Sequence, residues 1–239
     1  AHYRQGFFWA VTPSQDVTIT PDYLSQRGYG GDLEYRYILD RHSKGQWLTT
    51  VIKDNVTRTD RAVVLGSHTQ EVTPNLSIRA KANLLSDRTY YNNLSNSGAL
   101  RASPSQESDL SINQRFASGN LYLLGQYLQP VGAGGLNTFQ RLPEIGHNLV
   151  NMAPFGGPML AGMESTFVYF TREQGFGLSR VDVMPTFSTD VLNIGHVVGL
   201  TPRLNLREVA YSRGVTTAKP VQRGTFWASL DATSRLTRQ

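Results

Sequence analysis

Leu76-Ser77-Ile78-Arg79-Ala80-Lys81-Ala82-Asn83 alternates without a slip between apolar and polar side chains. A period of two places the apolar residues on one face of an extended strand and the charged ones on the other. The same period recurs outward in both directions. Val17, Ile19 and Tyr23 alternate with Thr18, Thr20 and Asp22, and Leu33, Tyr35 and Tyr37 with Asp32, Glu34 and Arg36. Further on, Leu110, Ile112 and Phe116 interleave with Ser111, Asn113 and Arg115, and Leu200, Leu204 and Leu206 with Thr201, Arg203, Asn205 and Arg207. No stretch sustains a helical period.

The pattern predicts about thirteen strands, near 6–12, 16–26, 31–39, 45–55, 61–71, 76–86, 109–117, 120–129, 141–151, 160–172, 178–188, 197–211 and 223–236. Every second connection is a tight, turn-rich join: Thr12-Pro13-Ser14-Gln15, Asp40 to Lys44, Thr73-Pro74-Asn75, Ser118-Gly119 and Ala153 to Gly157. The last on that side, Asp190 to Gly195, is not a minimal turn. The intervening connections include the polar run Asp87 to Glu107 and the Gly-rich stretch Pro130 to Gln140. Short turns at one end and longer loops at the other are the layout of a transmembrane β-barrel. Pro21, Pro185 and Pro202 fall inside strand patterns, where a missing N–H predicts a bulge or a gap in the ladder.

With 39% hydrophobic and 17% charged residues among 239, and no long apolar run, a transmembrane helix is excluded. A barrel strand needs only about 9–11 residues, half of them apolar, so the mean hydropathy of -0.32 does not count against a membrane. The charge of +5 and pI near 9.6 imply attraction to polyanions without choosing among nucleic acid, anionic lipid and phosphorylated glycolipid. The absence of cysteine removes disulfides and thiolate metal sites. Ala1 opens directly into His2-Tyr3-Arg4 with no leader pattern, so a mature or excised chain is expected.

A soluble β-sandwich also shows many alternating strands. Against it stand the strand lengths and the aromatics gathered on the apolar face near strand ends, such as Phe7, Trp9, Tyr35, Trp47, Tyr169 and Trp227, where a membrane barrel carries interfacial girdles. An enzyme lacks support: there is no Gly-x-Ser-x-Gly and no His-Glu-x-x-His, and His2, His42, His68, His147 and His196 have no metal-ligand spacing. Gly28-Tyr29-Gly30-Gly31 is read as a loop and not a phosphate cradle, because no helix follows it. The basic residues are spread over strand faces, which disfavours nucleic acid.

Specific residues carry a family resemblance. Gly6-Phe-Phe-Trp-Ala-Val-Thr-Pro-Ser-Gln-Asp-Val-Thr-Ile-Thr-Pro-Asp-Tyr-Leu-Ser-Gln-Arg-Gly28 resembles a stretch of the lipopolysaccharide-assembly family LptD, also called OstA or Imp. Gly31-Asp-Leu-Glu-Tyr-Arg-Tyr37 is similar to that family's next strand, Asp87-Arg88-Thr89-Tyr90-Tyr91 to one of its loops, and Arg180-Val-Asp-Val-Met-Pro-Thr-Phe187 to a later strand with an internal proline. The resemblance implies an all-β, antiparallel transmembrane β-barrel in the outer membrane. It sets residues 1–239 as one barrel segment, equivalent to strands two to about fourteen, without the periplasmic jelly roll and the C-terminal half of the barrel. The odd strand count and the end at Arg235-Leu236-Thr237-Arg238-Gln239, with no terminal aromatic, fit such a piece, and we do not expect it to insert stably alone.

The function implied is transport, not catalysis, with no cofactor or metal. Lipopolysaccharide would be delivered to the outer leaflet, its sugars through the barrel lumen and its lipid through a lateral seam. The implied partners are the plug lipoprotein LptE and the periplasmic bridge protein LptA. Without the resemblance, a passive porin-like channel remains open, as does, more remotely, an outer-membrane barrel enzyme. The polar faces would line the lumen with Arg36, Arg79, Lys81, Arg115, Arg180, Arg203 and Arg207, accompanied by Asp32, Glu34, Asp182 and Asp231. Two readings of these residues stay open: a basic path for anionic sugars, or mutual ion pairs. Gly6, Phe7, Phe8 and Trp9 are the candidate seam strand; Gly6 either softens that strand or simply begins it.

Overall fold

The computed structural model describes all residues except 96, 133–136, 155, 190, 195–197, 215–216 and 235–239. Its strands are β1 (His2–Arg4), β2 (Phe7–Thr12), β3 (Gln15–Leu24), β4 (Gly28–Asp40), β5 (Ser43–Asp54), β6 (Thr59–Thr73), β7 (Leu76–Leu85), β8 (Ser105–Phe116), β9 (Gly119–Pro130), β10 (Gln140–Met152), β11 (Met159–Thr171), β12 (Leu178–Thr189), β13 (Leu192–Ile194), β14 (Val198–Tyr211) and β15 (Val221–Ser234). Two five-residue helices, α1 (Tyr90–Leu94) and α2 (Gly98–Ala102), lie between β7 and β8. All thirteen strands read from the alternation are present, and β1 and β13 are short additions to them.

The strands form one antiparallel sheet in the order β1-β3-β4-β5-β6-β7-β8-β9-β10-β11-β12-β14-β13, with β2 also on β3 and β15 on β14. Among the described residues, neither β1 nor β2 pairs with β13 or β15, as expected for part of a β-barrel. The chain divides into two compact units. Unit 1 is Ala1–Asn113, Leu124–Leu142 and Thr171–Phe176; unit 2 is Gln114–Leu123, Pro143–Phe170 and Gly177–Gln239.

The short turns of unit 1 share one construction. Thr12 Oγ1 accepts from Ser14 N–H at 3.3 Å, Asp40 Oδ1 from His42 N–H at 2.6 Å, and Thr73 Oγ1 from Asn75 N–H at 3.3 Å. Each side chain thus closes its own two-residue turn, the reason Thr and Asp favour such positions. Each of the three hairpins also shifts register just before its turn, at Ala10/Thr12, Ile38/Asp40 and Glu71/Thr73. Successive turns are tied together by Ile38 N–H to Ser14 O and Glu71 N–H to His42 O, both at 2.8 Å.

The prolines mark gaps, not bulges. Pro21 accepts from Gln5 N–H at 3.3 Å, in the break where β1 ends and β2 has not begun. In an antiparallel ladder N–H and C=O of one residue face the same neighbour, so the missing proline N–H leaves the Gln5 carbonyl without its usual donor. Met184 and Pro185 drop out of the β12–β14 ladder while the register on either side is unchanged. Pro202 sits where β14 exchanges its partner β12 for β13.

Two expectations are corrected. Gly28 to Gly31 is the start of β4, not a loop: β4 is pressed between β3 and β5, and a Cβ on Gly30 would strike the Val51 carbonyl. The run Asp87 to Glu107 contains α1 and α2, each too short to show a helical period.

Candidate functional site

The register puts two chemically opposite faces on the sheet. In unit 1, Phe7, Trp9, Ile19, Leu33 and Val51 share one face, joined there by Tyr23 and Tyr29. All are exposed. A soluble sandwich would bury such a face against a second sheet. Trp47 and Tyr37 lie on it too, each flat against a glycine of the next strand: a Cβ on Gly66 would enter the Trp47 ring, and one on Gly45 the Tyr37 ring. Tyr37 stacks on Tyr35 at 5.2 Å between centroids, and its hydroxyl meets His68 Nδ1 at 2.7 Å. In unit 2, Phe167, Val181, Phe187, Leu204, Leu206 and Phe226 form an exposed apolar face.

On the opposite face of unit 1, cross-strand rows carry ion pairs. Arg4 pairs with Asp32, which also accepts from Thr50 Oγ1 at 2.6 Å. Arg36 donates to Asp16 at 2.9 Å and lies 3.9 Å from Glu34. His2 Nε2 meets Asp22 at 2.7 Å. In unit 2, Arg207 donates through both Nε and Nη2 to Asp182, and the Arg180 guanidinium lies 5.5 Å from the Phe170 ring centre. Arg79, Lys81 and Arg203 are exposed on their strands and have no carboxylate partner among the described residues. Their cross-strand neighbours are Thr69, Ser67, and Ser188 with Ser229. Arg115 is exposed near the turn end of β8, and Asp231 faces Thr201.

At the long-loop end, α1 packs onto the polar face of unit 1. Tyr90 and Tyr91 of α1 bury against Val63 and Leu85, together with Val131, and Leu94 packs on this cluster with Leu65. Beneath them lies an ion network that the alternation did not single out. Asp54 and Arg61 have side chains 0% and 2% exposed and are joined at 3.3 Å. Arg61 also donates through Nε and Nη2 to Asp87, both at 2.8 Å, and Arg27 reaches Asp54 at 3.2 Å and the Asn93 carbonyl at 2.9 Å. Burial alone would raise the Asp87 carboxyl, but the hydrogen bonds from Arg61 and Thr89 and the Arg61 charge outweigh it and hold the group at about 2. Burial, reinforced by nearby carboxylates, pushes the Tyr90 phenol up to about 12, and burial raises Tyr91 as well.

Further bonds fix this loop to its neighbours. The Gln129 amide accepts from Leu85 N–H at 2.7 Å and donates to Leu85 O at 2.6 Å, standing in for a strand where the ladder stops. Gly132 N–H donates to Arg88 O at 2.7 Å, and Arg88 pairs with Glu173.

Of the seam residues, Phe7 and Trp9 face the apolar side, Phe8 shares the face of Thr18, and Gly6 lies in the break between β1 and β2 with Thr20 Oγ1 3.7 Å from where its Cβ would be. His42 meets Glu71 at 3.1 Å; His196, the two ends of the connection 190–195 and the last residues of the chain lie outside the described residues, while the middle of that connection forms β13. Among the described residues no group of His, Asp and Glu could hold a metal ion, and no helix is long and apolar enough to cross a membrane, which says nothing of strands.

A family model described as LPS transport system D, LptD, matches residues 59–238. The LPS-assembly protein LptD of Nitrosospira multiformis is 25% identical over 87% of this chain and 23% of its own length. Those of Aromatoleum aromaticum and Nitrosococcus oceani are each 26% identical over 86% of the chain, covering 26% and 28% of their own lengths. The chain therefore spans about a quarter of these relatives.

Proposed function

Because the chain belongs to the LptD family of LPS transport system D proteins, we propose that its parent protein assembles lipopolysaccharide in the outer membrane. Residues 1–239 would supply strands two to about fourteen of the barrel. The glycolipid would be received from the bridge protein LptA, with LptE as the plug, and no catalytic step is involved. The apolar face would meet lipid and the polar face would line the lumen. The lipid portion would leave beside β2, where Gly6 and the missing N–H of Pro21 thin the ladder.

One observation carries the reading. The polar face is not neutralised by its own acids: Arg36 and Arg207 are paired, whereas Arg79, Lys81 and Arg203 have no carboxylate partner among the described residues. Such exposed, unpaired cations attract phosphorylated sugars through a low-dielectric channel more strongly than they would on an open surface. A basic lumen would equally suit an anion-selective pore; the family match is what favours assembly over passive conduction.

The test is the double reversal R79E/K81E in the full-length protein. Surface lipopolysaccharide should fall several-fold while the protein still assembles in the membrane. Wild-type export at wild-type protein levels would reject the basic path.

A further inference from the structure

Arg172 is held unlike the arginines that pair on the polar face. Arg4, Arg27, Arg36, Arg61, Arg88 and Arg207 each meet a carboxylate. Arg172 meets none among the described residues. Its guanidinium carbon lies 4.7 Å from the Phe139 ring centre and 4.9 Å from that of Phe176. Its Nε is buried without a hydrogen-bond partner. The side chain folds over Gly175, whose φ of +105° admits this close approach: a Cβ there would come within 2.6 Å of Nε and Nη2. The neighbouring acid is already taken, since Glu173 is paired with Arg88.

A guanidinium whose Nε is taken from water without a counter-ion is held at a cost, which two aromatic faces offset only in part. What the rings do accomplish is to fix the plane of the fork, leaving its Nη edge, which makes no hydrogen bond among the described residues, for an in-plane acceptor. Phosphate and carboxylate are the groups that match such a fork. Phe139 is itself 38% exposed and offers a ring face on which the C–H side of a pyranose can rest.

We propose that Arg172, Phe139 and Phe176 form a binding site at the long-loop end of unit 1 for the anionic substituent of a sugar, its phosphate or carboxylate on the Arg172 fork and its ring against Phe139. The site rests on the transport reading and deepens it: it would hold the acidic part of the exported glycan on the side opposite the short turns.

The test is calorimetric titration of the detergent-solubilised full-length protein with a phosphorylated core oligosaccharide, the same oligosaccharide after dephosphorylation, and inorganic phosphate. R172Q should weaken binding of the phosphorylated form about tenfold, with the dephosphorylated form already weak and unaffected. F139L, which leaves the cation in place, should weaken it about threefold and serves as the informative variant if R172Q does not fold. Unchanged binding in a folded R172Q, or in F139L where R172Q fails, overturns the site. Inorganic phosphate binding as tightly as the oligosaccharide would overturn its sugar component. Depleting the full-length protein separates the two readings. Surface glycolipid that persists on depletion removes the transport reading, whereas a block on depletion with R172Q binding normally removes only this site.

Discussion

Arg61 is where single side chains matter most. It is buried between two carboxylates from different places, Asp54 at the end of β5 and Asp87 at the start of the long loop. Asp54 keeps Arg27 and the Val56 N–H as further partners, so the interior charge stays compensated. Asp87 depends mainly on Arg61 and Thr89. Because its folded pKa lies near 2, below the ordinary 3.8, its contribution to anchoring the loop is fully present above 3.8 and is lost as pH falls through about 2. Hydrogen exchange of residues 86–104 in the full-length protein, corrected for intrinsic rates, should therefore show protection dropping between those pH values. D87N should have weaker protection at neutral pH and no drop of its own in that window. Identical profiles for the two proteins would show that the Asp87 charge does not hold the loop.

Elements whose two faces differ were legible in the sequence, because a side-chain period of two survives whatever lies beyond the sheet. Helices α1 and α2 were not legible, since five residues complete little more than a turn. Their effect was nonetheless written into β6: Ala62-Val63-Val64-Leu65 breaks the alternation, and Val63 and Leu65 are the residues that α1 covers. An apolar run inside an alternating strand thus reports a second covering layer. The ion pairs across strands were half legible; Arg36 and Asp182 could be placed on a face, but their partners Asp16 and Arg207 depend on register, which no single strand encodes. Element pairing also has a steric test. Trp47 of β5 lies on Gly66 of β6 so closely that a methyl group has no room. G66A should cost about 1–3 kcal/mol through displacement of the ring, measured as a lowered urea midpoint of the refolded full-length barrel. An unshifted midpoint would mean that the ring has another rotamer at little expense.

At the scale of the molecule, the faces and the edges make opposite demands. The apolar face favours hydrocarbon, and burying it there stabilises the strands. The edges do not: among the described residues β15 pairs with β14 alone and every residue of it is exposed, while β1 and β2 pair with β3 alone. Outward-facing N–H and C=O groups along these strands find no partner in the bilayer, at several kcal/mol each, roughly tens of kcal/mol for a long edge. That exceeds the net stability of an ordinary domain, about 5–15 kcal/mol, so a sheet of this kind is not stable in lipid until further strands cover its edges. Residues 1–239 expressed alone and offered to lipid vesicles should consequently remain sensitive to added protease and show no heat-dependent change in gel mobility. The same residues within the full-length protein should be protected and heat-modifiable. Protection of the 239-residue chain alone would mean that copies of it close each other's edges, and the barrel would then be an assembly of several chains and not of one.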